Sequence, residues 1–119
     1  MQCQVRSPDR TLYDGEATMV VARSTRGEFA VMDDHAPLLA TIRSGPLRVK
    51  TPQEERVFAC FGGSLRVSEE GAVTVLVEHA VPLEEIDLAE ARDGANDSEE
   101  AGTSQEWLDV LRRVKETYG

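Results

Sequence analysis

From Gln2 to Val77 the chain is a succession of short runs in which apolar and polar residues alternate, each stopped by a cluster of turn-forming residues. An alternating run places every second side chain on one face of a strand, so the series commits the chain to sheets with one buried face. Gln2–Arg6 stops at Ser7-Pro8-Asp9, and Asp14-Gly15 reads as a tight hairpin turn. Ala17–Arg23, Gly27–Met32 and Leu38–Ile42 follow as strands, and Ser44-Gly45-Pro46 turns into Leu47–Lys50. After Thr51-Pro52-Gln53-Glu54, the run Arg56–Phe61 sets Val57, Ala59 and Phe61 on one face. Gly62-Gly63 interrupts it, as a bulge or a close backbone approach does. Leu65 and Val67 share a face, Ser68-Glu69-Glu70-Gly71 turns, and Val73–Val77 closes the series. Eight or nine strands at this spacing, with no helix long enough for a crossover between them, indicate a β-sandwich or barrel and exclude a βαβ fold.

The period changes after Pro82. Leu83, Ile86 and Ala89–Ala91 form a thin helical stripe, with Glu84, Glu85 and Asp87 suited to the positive end of a helix dipole, and Asp93-Gly94 ends it. A second helix is expected from near Ser104, with Thr103 and Glu106 spaced as a capping box. Trp107, Leu108, Leu111, Val114 and Tyr118 form its apolar stripe, and Arg112, Arg113 and Lys115 suit its negative end. Charge shifts at the same place: residues 1–81 carry 9 basic and 11 acidic side chains, residues 82–119 carry 4 and 11. The expected organisation is therefore mainly β with an α tail: a sandwich domain over 1–81 and a two-helix segment over 82–119.

A net charge of −9 and a pI near 4.7 exclude a nucleic-acid binder, which needs a basic surface. Cys3 and Cys60 both lie in apolar alternating runs and read as buried, reduced small hydrophobes. No signal pattern and no apolar run of membrane-spanning length is present, so a soluble, cytoplasmic chain is expected, with any membrane association made through partners. His35 and His79 are far apart and have no Cys or His at metal-ligand spacing, and no phosphate loop or nucleophile elbow is found. Neither catalysis, a cofactor nor a metal is expected.

The most informative stretch is Gly27-Glu28-Phe29-Ala30-Val31-Met32-Asp33-Asp34-His35-Ala36-Pro37-Leu38-Leu39. It resembles the signature of the epsilon-subunit family of bacterial F-type ATP synthases: Gly-Glu, an apolar pair, a short turn, then His-x-Pro-Leu. Asp14-Gly15-Glu16 with Val20-Val21, Ser44–Val49, Phe58–Val67, Val73–Leu76 and Ile86-Asp87 stand in register with it, so the resemblance covers residues 4–92. It implies a β-sandwich of about ten strands followed by two helices, in a non-catalytic rotor subunit of the central stalk. The implied partners are the gamma subunit, the c subunits of the rotor ring and the alpha/beta head, at the cytoplasmic face of the bacterial plasma membrane. It assigns Glu28 and His35 to the ring loops, pictured as one loop tip offering a carboxylate and an imidazole. Gly62, Gly63 and Leu65 are assigned to gamma, with Ser64 and Arg66 departing from the residues commoner there.

For the tail, the resemblance implies helices that fold against the sandwich or extend into the head and block hydrolysis, with Trp107, Leu111, Arg112, Arg113 and Lys115 as the residues concerned. It also points to an ATP motif at Ile86, Asp87 and Ala91, but Glu90 stands where the motif has arginine, so weak or absent ATP binding is expected. The residues alone leave other readings open: Glu28 as a strand-edge carboxylate, His35 as a turn histidine before Pro37, and the tail arginines as solvated charges matched to the dipole. A free-standing β-sandwich binding module for protein or carbohydrate is the alternative function.

Overall fold

The structure, a computed structural model, describes residues 1–88 and 101–119, with side chains from Glu106 onward in the second stretch. Eight strands form in order: β1 (Gln2–Ser7), β2 (Arg10–Glu16), β3 (Met19–Ser24), β4 (Gly27–Met32), β5 (Leu38–Ile42), β6 (Gly45–Lys50), β7 (Glu55–Val67) and β8 (Val73–Pro82). A 3-10 turn (Leu83–Glu85) follows, and the helix α1 spans Ala101–Tyr118.

The count of eight against the expected ten has a simple cause. β7 is 13 residues long and β8 is 10, and each serves two sheets. Up to Cys60, β7 pairs with β6; from Gly63 onward it pairs with β5 instead. β8 follows β7 through the change, with Phe61 opposite His79 and Gly63 opposite Val77. One sheet is thus β2-β1-β8-β7-β5, built on the first half of β8 and the second half of β7, and the other is β4-β3-β6-β7-β8, built on the remaining halves. Counted by sheet, β7 and β8 each contribute two segments, which accounts for ten.

The change of sheet falls at Gly62-Gly63. Gly62 has φ +54°, in the left-handed region that glycine enters without penalty. At Gly63 there is no room for a side chain, since a Cβ would sit 2.1 Å from the Leu76 carbonyl oxygen and 2.8 Å from the Val77 Cα. The close-approach reading of the glycine pair holds. No residue is inserted at the bend, because the register advances equally on both strands.

Between the sheets lies one core of Val5, Val20, Val31, Leu47, Val49, Phe58, Leu65, Val73 and Val75, each at or below 1 % exposure. The first half of β7 is buried on both sides. Phe58 and Cys60 face this core, while Val57 and Ala59 face α1. That outer cluster contains Ile86, Val110, Leu111 and Val114, flanked by Val81, Leu83, Leu88, Trp107 and Tyr118. Val110 did not stand out in the sequence, and it joins the stripe because its side chain fills the space over the sheet beside Val114.

Three local expectations are corrected. Asp14-Gly15 is not a turn but lies within β2, opposite Gln4 and Cys3; the chain reverses instead at Pro8-Asp9, where the Ser7 hydroxyl donates to Asp9. Leu83 does not start a regular helix. A single 3-10 turn ends where Ile86 becomes extended (φ −71°, ψ 117°), since burial of Ile86 under α1, together with Glu84–Arg56 and Glu85–Arg10 ion pairs at 3.5 and 3.2 Å, outweighs local helix preference. Leu88 is helical again, and the remainder of that expected helix, with Glu90 and Ala91, lies outside the described residues. Finally, Thr103 lies within α1, after Ala101 and Gly102, and so does not cap it.

Cys3 and Cys60 are buried free thiols, and burial pushes both up to about 12. In the unfolded chain a thiol ionises near 9.0, whereas the folded state keeps it protonated to higher pH. Their contribution to stability is therefore complete below pH 9 and is lost as pH rises toward 12, by up to about 1.4 kcal/mol per pH unit per thiol. Urea unfolding at a series of alkaline pH values should show a shallower decline for a Cys3→Ala/Cys60→Ala chain than for the parent; equal slopes would remove the thiols from the account.

Candidate functional site

Two outer faces remain after the core is built. On the β2-β1-β8-β7-β5 sheet, cross-strand pairing aligns Leu39, Arg66, Thr74, Gln4 and Asp14 in one row and Thr41, Ser64, Leu76, Arg6 and Thr11 in the next. The row-to-row spacing follows from strand alternation, since the residues between them point into the core. Leu39 is 74 % exposed and Leu76 51 %. Among the described residues no element covers this face. It carries Arg6 and Arg66 beside the leucines, with Asp14 and Glu16 toward its β2 margin and Glu78 two residues beyond Leu76 on β8.

Leu65 is not part of that surface. It is fully buried in the core, and its neighbours Ser64 and Arg66 are the ones directed outward. Gly62 and Gly63 keep partial exposure at the bend, where the Gly62 N–H donates to the Ser44 hydroxyl at 3.2 Å. Sequence alternation alone places Leu65 inward together with Val67, so the signal that separates it from a surface role was present in its own strand.

Glu28 and His35 do not share a tip. Glu28 stands at the start of β4 opposite Arg23, and His35 lies beyond the other end of the strand. Glu28 and Met32, four positions apart in the extended strand, already stand about 13 Å apart, and His35 lies in the turn beyond Met32. The His35 N–H donates to the Met32 carbonyl at 3.2 Å, its ring nitrogen Nδ1 lies 2.6 Å from the Ala36 carbonyl, and Asp34 has φ +66°. These contacts fix a tight turn. It lies beside Asp33, Glu69 and Glu70 along an open groove near the start of β1, where Met1 N donates to Asp33 Oδ1 at 2.8 Å.

Glu28 belongs to the other outer face, the one on which α1 rests. Its carboxylate is 3.8 Å from the Arg48 guanidinium, which also donates from Nε to Glu55 at 2.7 Å. Hydrogen bonding to Glu55 is the main influence holding the Arg48 pKa above its ordinary value, with Tyr118 and Glu28 adding to it. The guanidinium lies 5.8 Å from the centre of the Tyr118 ring. Sequence alternation shows only that the Arg48 side chain leaves the core.

At the other end of α1, Trp107 meets Phe61 edge-on (6.0 Å between ring centres, 80°) and His79 at 6.1 Å and 40°. The three rings engage one another at steep angles and offer no flat platform of the kind a sugar stacks on. Leu111 is buried under the helix. Arg112 and Arg113 are exposed, with Arg112 bound to Asp109 one turn back at 3.0 Å, and Lys115 is half-buried. Ile86 is buried against α1 and Asp87 is exposed, so the described part of the degenerate ATP motif has one side chain closed off by packing. Among the described residues no group of three potential metal ligands converges, and no helix is long and apolar enough to cross a membrane.

Comparison with known proteins matches this framework. The profile of the ATP synthase delta/epsilon chain β-sandwich domain covers residues 1–83. The ATP synthase epsilon chain of Rubrobacter xylanophilus is 42% identical over 89 residues, 75% of this chain and 60% of the relative. That of Synechococcus elongatus is 40% identical over 97 residues, 82% of this chain and 70% of the relative. The match thus spans about three fifths of the length of the first relative. A chain in the Euglena gracilis mitochondrial ATP synthase (OSCP/F1/c-ring) superposes with a TM-score of 0.74 at 23% identity, covering 98% of this chain and 80% of that one. A chain from the central stalk/c-ring of the Tetrahymena thermophila enzyme gives 0.71 at 14%, covering 97% and 96%, and both likenesses concern the fold. With the profile matched across the whole sandwich and identity near 40% over most of the sequence, the chain belongs to the ATP synthase delta/epsilon chain family.

Proposed function

We propose that the chain is a non-catalytic rotor subunit of an F-type ATP synthase, held in the central stalk at the cytoplasmic face of the membrane through its partners. The observation that carries this reading is the uncovered outer sheet face with Leu39 and Leu76, in a chain of this family. A rigid sandwich whose open face sets two exposed leucines among arginine, threonine and serine is suited to gripping a second subunit and turning with it, and the gamma subunit is the partner proposed. Gly62 and Gly63 border that face: Gly62 leaves room for a partner to approach, whereas the space at Gly63 is taken by Leu76 and Val77 of β8; Leu65 supports the face from within.

The rotor ring is the second proposed partner, met at two separate points, Glu28 at the start of β4 and His35 in the turn beyond its end. The tail, through Trp107, Leu111, Arg112, Arg113 and Lys115, is proposed to restrain hydrolysis when it leaves the sandwich for the alpha/beta head. Each exposed ion pair made there contributes about 1 kcal/mol or less, so burial of Trp107 and Leu111 has to supply the rest.

The test is binding of the full chain to purified gamma subunit. A Leu39→Asp/Leu76→Asp chain should bind at least about tenfold more weakly, the loss expected when two exposed leucines leave an interface centre, while its thermal unfolding stays that of the parent. Undiminished binding would remove this face from the gamma contact.

A further inference from the structure

We infer that Arg48 couples the docking of α1 to the availability of Glu28, so that a partner engaging Glu28 loosens the tail. The inference rests on the reading of Glu28 as a point of partner contact. Strand pairing sets Arg48 on the outer face of β6 between Val21 of β3 and Val57 of β7, and Glu28, one strand further out on β4, shares that face. The Arg48 side chain is 20 % exposed and is held from two sides: Nε by Glu55 at 2.7 Å, and a terminal nitrogen 3.8 Å from Glu28. Lys50 reaches the same Glu55 at 4.0 Å. Tyr118, in the last turn of α1, places its ring 5.8 Å from the guanidinium carbon. Among the described residues Arg48 is the cation that forms an ion pair with Glu28 and also meets Tyr118 of the tail helix, while Arg23, opposite Glu28 on β3, lines the cavity beside α1.

A guanidinium is a planar group whose face is attracted to an aromatic ring only while its plane is held toward that ring. The two carboxylates hold it. If Glu28 is drawn to another cation, Arg48 keeps Glu55 but loses its second anchor and can turn away from Tyr118. By reciprocity, undocking α1 hydrates Arg48 and weakens its hold on Glu28. The coupling is modest, since each contact is partly solvated.

The experiment uses the isolated full chain and needs no partner, so its failure is separate from failure of the ring contact, which ring binding by Glu28→Gln would report. Hydrogen exchange of the α1 backbone amides reads opening of the helix, with core amides of β7 as the internal control. Arg48→Met should raise α1 opening about threefold to fivefold, and Tyr118→Leu likewise, whereas Tyr118→Phe keeps the ring and should match the parent. Glu28→Gln should raise opening about twofold to threefold in the parent and not at all in the Arg48→Met chain. Equal effects of Glu28→Gln in both backgrounds, no effect in either, or tighter docking in the parent would each overturn the coupling, as would a Tyr118→Phe chain that behaves like Tyr118→Leu.

Discussion

A Gly63→Ala chain is expected to lose about 3–4 kcal/mol of stability, with unfolding on the order of 10–20 °C lower than the parent. The reason is steric and lies in backbone, not in a side chain that could swing away. The new Cβ would meet the Leu76 carbonyl at 2.1 Å and the Val77 Cα at 2.8 Å, so β7 and β8 must part at the place where both pass from one sheet to the other. Gly71 supplies the control. It has φ +83° and open space around its Cα, so Gly71→Ala carries conformational strain without collision and should cost only about 1–2 kcal/mol. Chemical denaturation of the two variants separates the causes. If Gly63→Ala unfolds beside the parent, the close approach does not govern the bend.

Val114→Asp is expected to release α1 while leaving the sandwich folded. Val114 is 1 % exposed between the helix and the Val57–Ala59 segment of β7. An ionised carboxylate with no partner there costs several kcal/mol, enough to raise helix opening by roughly a hundredfold or more. Trp107 should leave Phe61 and His79, so its fluorescence should shift to the red, and exchange protection of α1 should vanish. Thermal unfolding of the sandwich should change little, because its main core lies on the other side of β7. Loss of the whole fold would show that the helix is an integral part of the domain. In an assembled head the same substitution frees the tail, and hydrolysis should fall if the tail restrains it; unchanged hydrolysis would leave α1 a structural element only.

The strand series was legible because the period-two pattern survives wherever one face of a strand is buried and the other is wet. It was least informative in the first half of β7, where both faces are covered and Val57, Phe58, Ala59 and Cys60 form an unbroken apolar run. Asp14-Gly15 shows the limit of turn chemistry: the dipeptide favours a reversal, but pairing with Gln4 and Cys3 across β1 holds it extended. In the candidate site, alternation distinguishes inward Leu65 from outward Ser64 and Arg66. The same rule puts Arg48 outside the core, yet gives no sign that Glu28, Glu55 and Tyr118 would converge on it from three other elements.

By itself the sequence determined the class of the fold, the burial of both cysteines, and the family, whereas the last strand, closed at Val77 by alternation, runs on to Pro82. These follow from local periodicity, burial preference and residue order, which a linear chain carries in full. Only the tertiary structure decided that β7 and β8 each serve two sheets, that Glu28 and His35 stand at opposite ends of one strand, and that Arg48 and the Trp107 rings join the helix to the sandwich. Those are distances between residues far apart along the chain, fixed by how the sheets bend and face each other, and periodicity within a strand does not encode them.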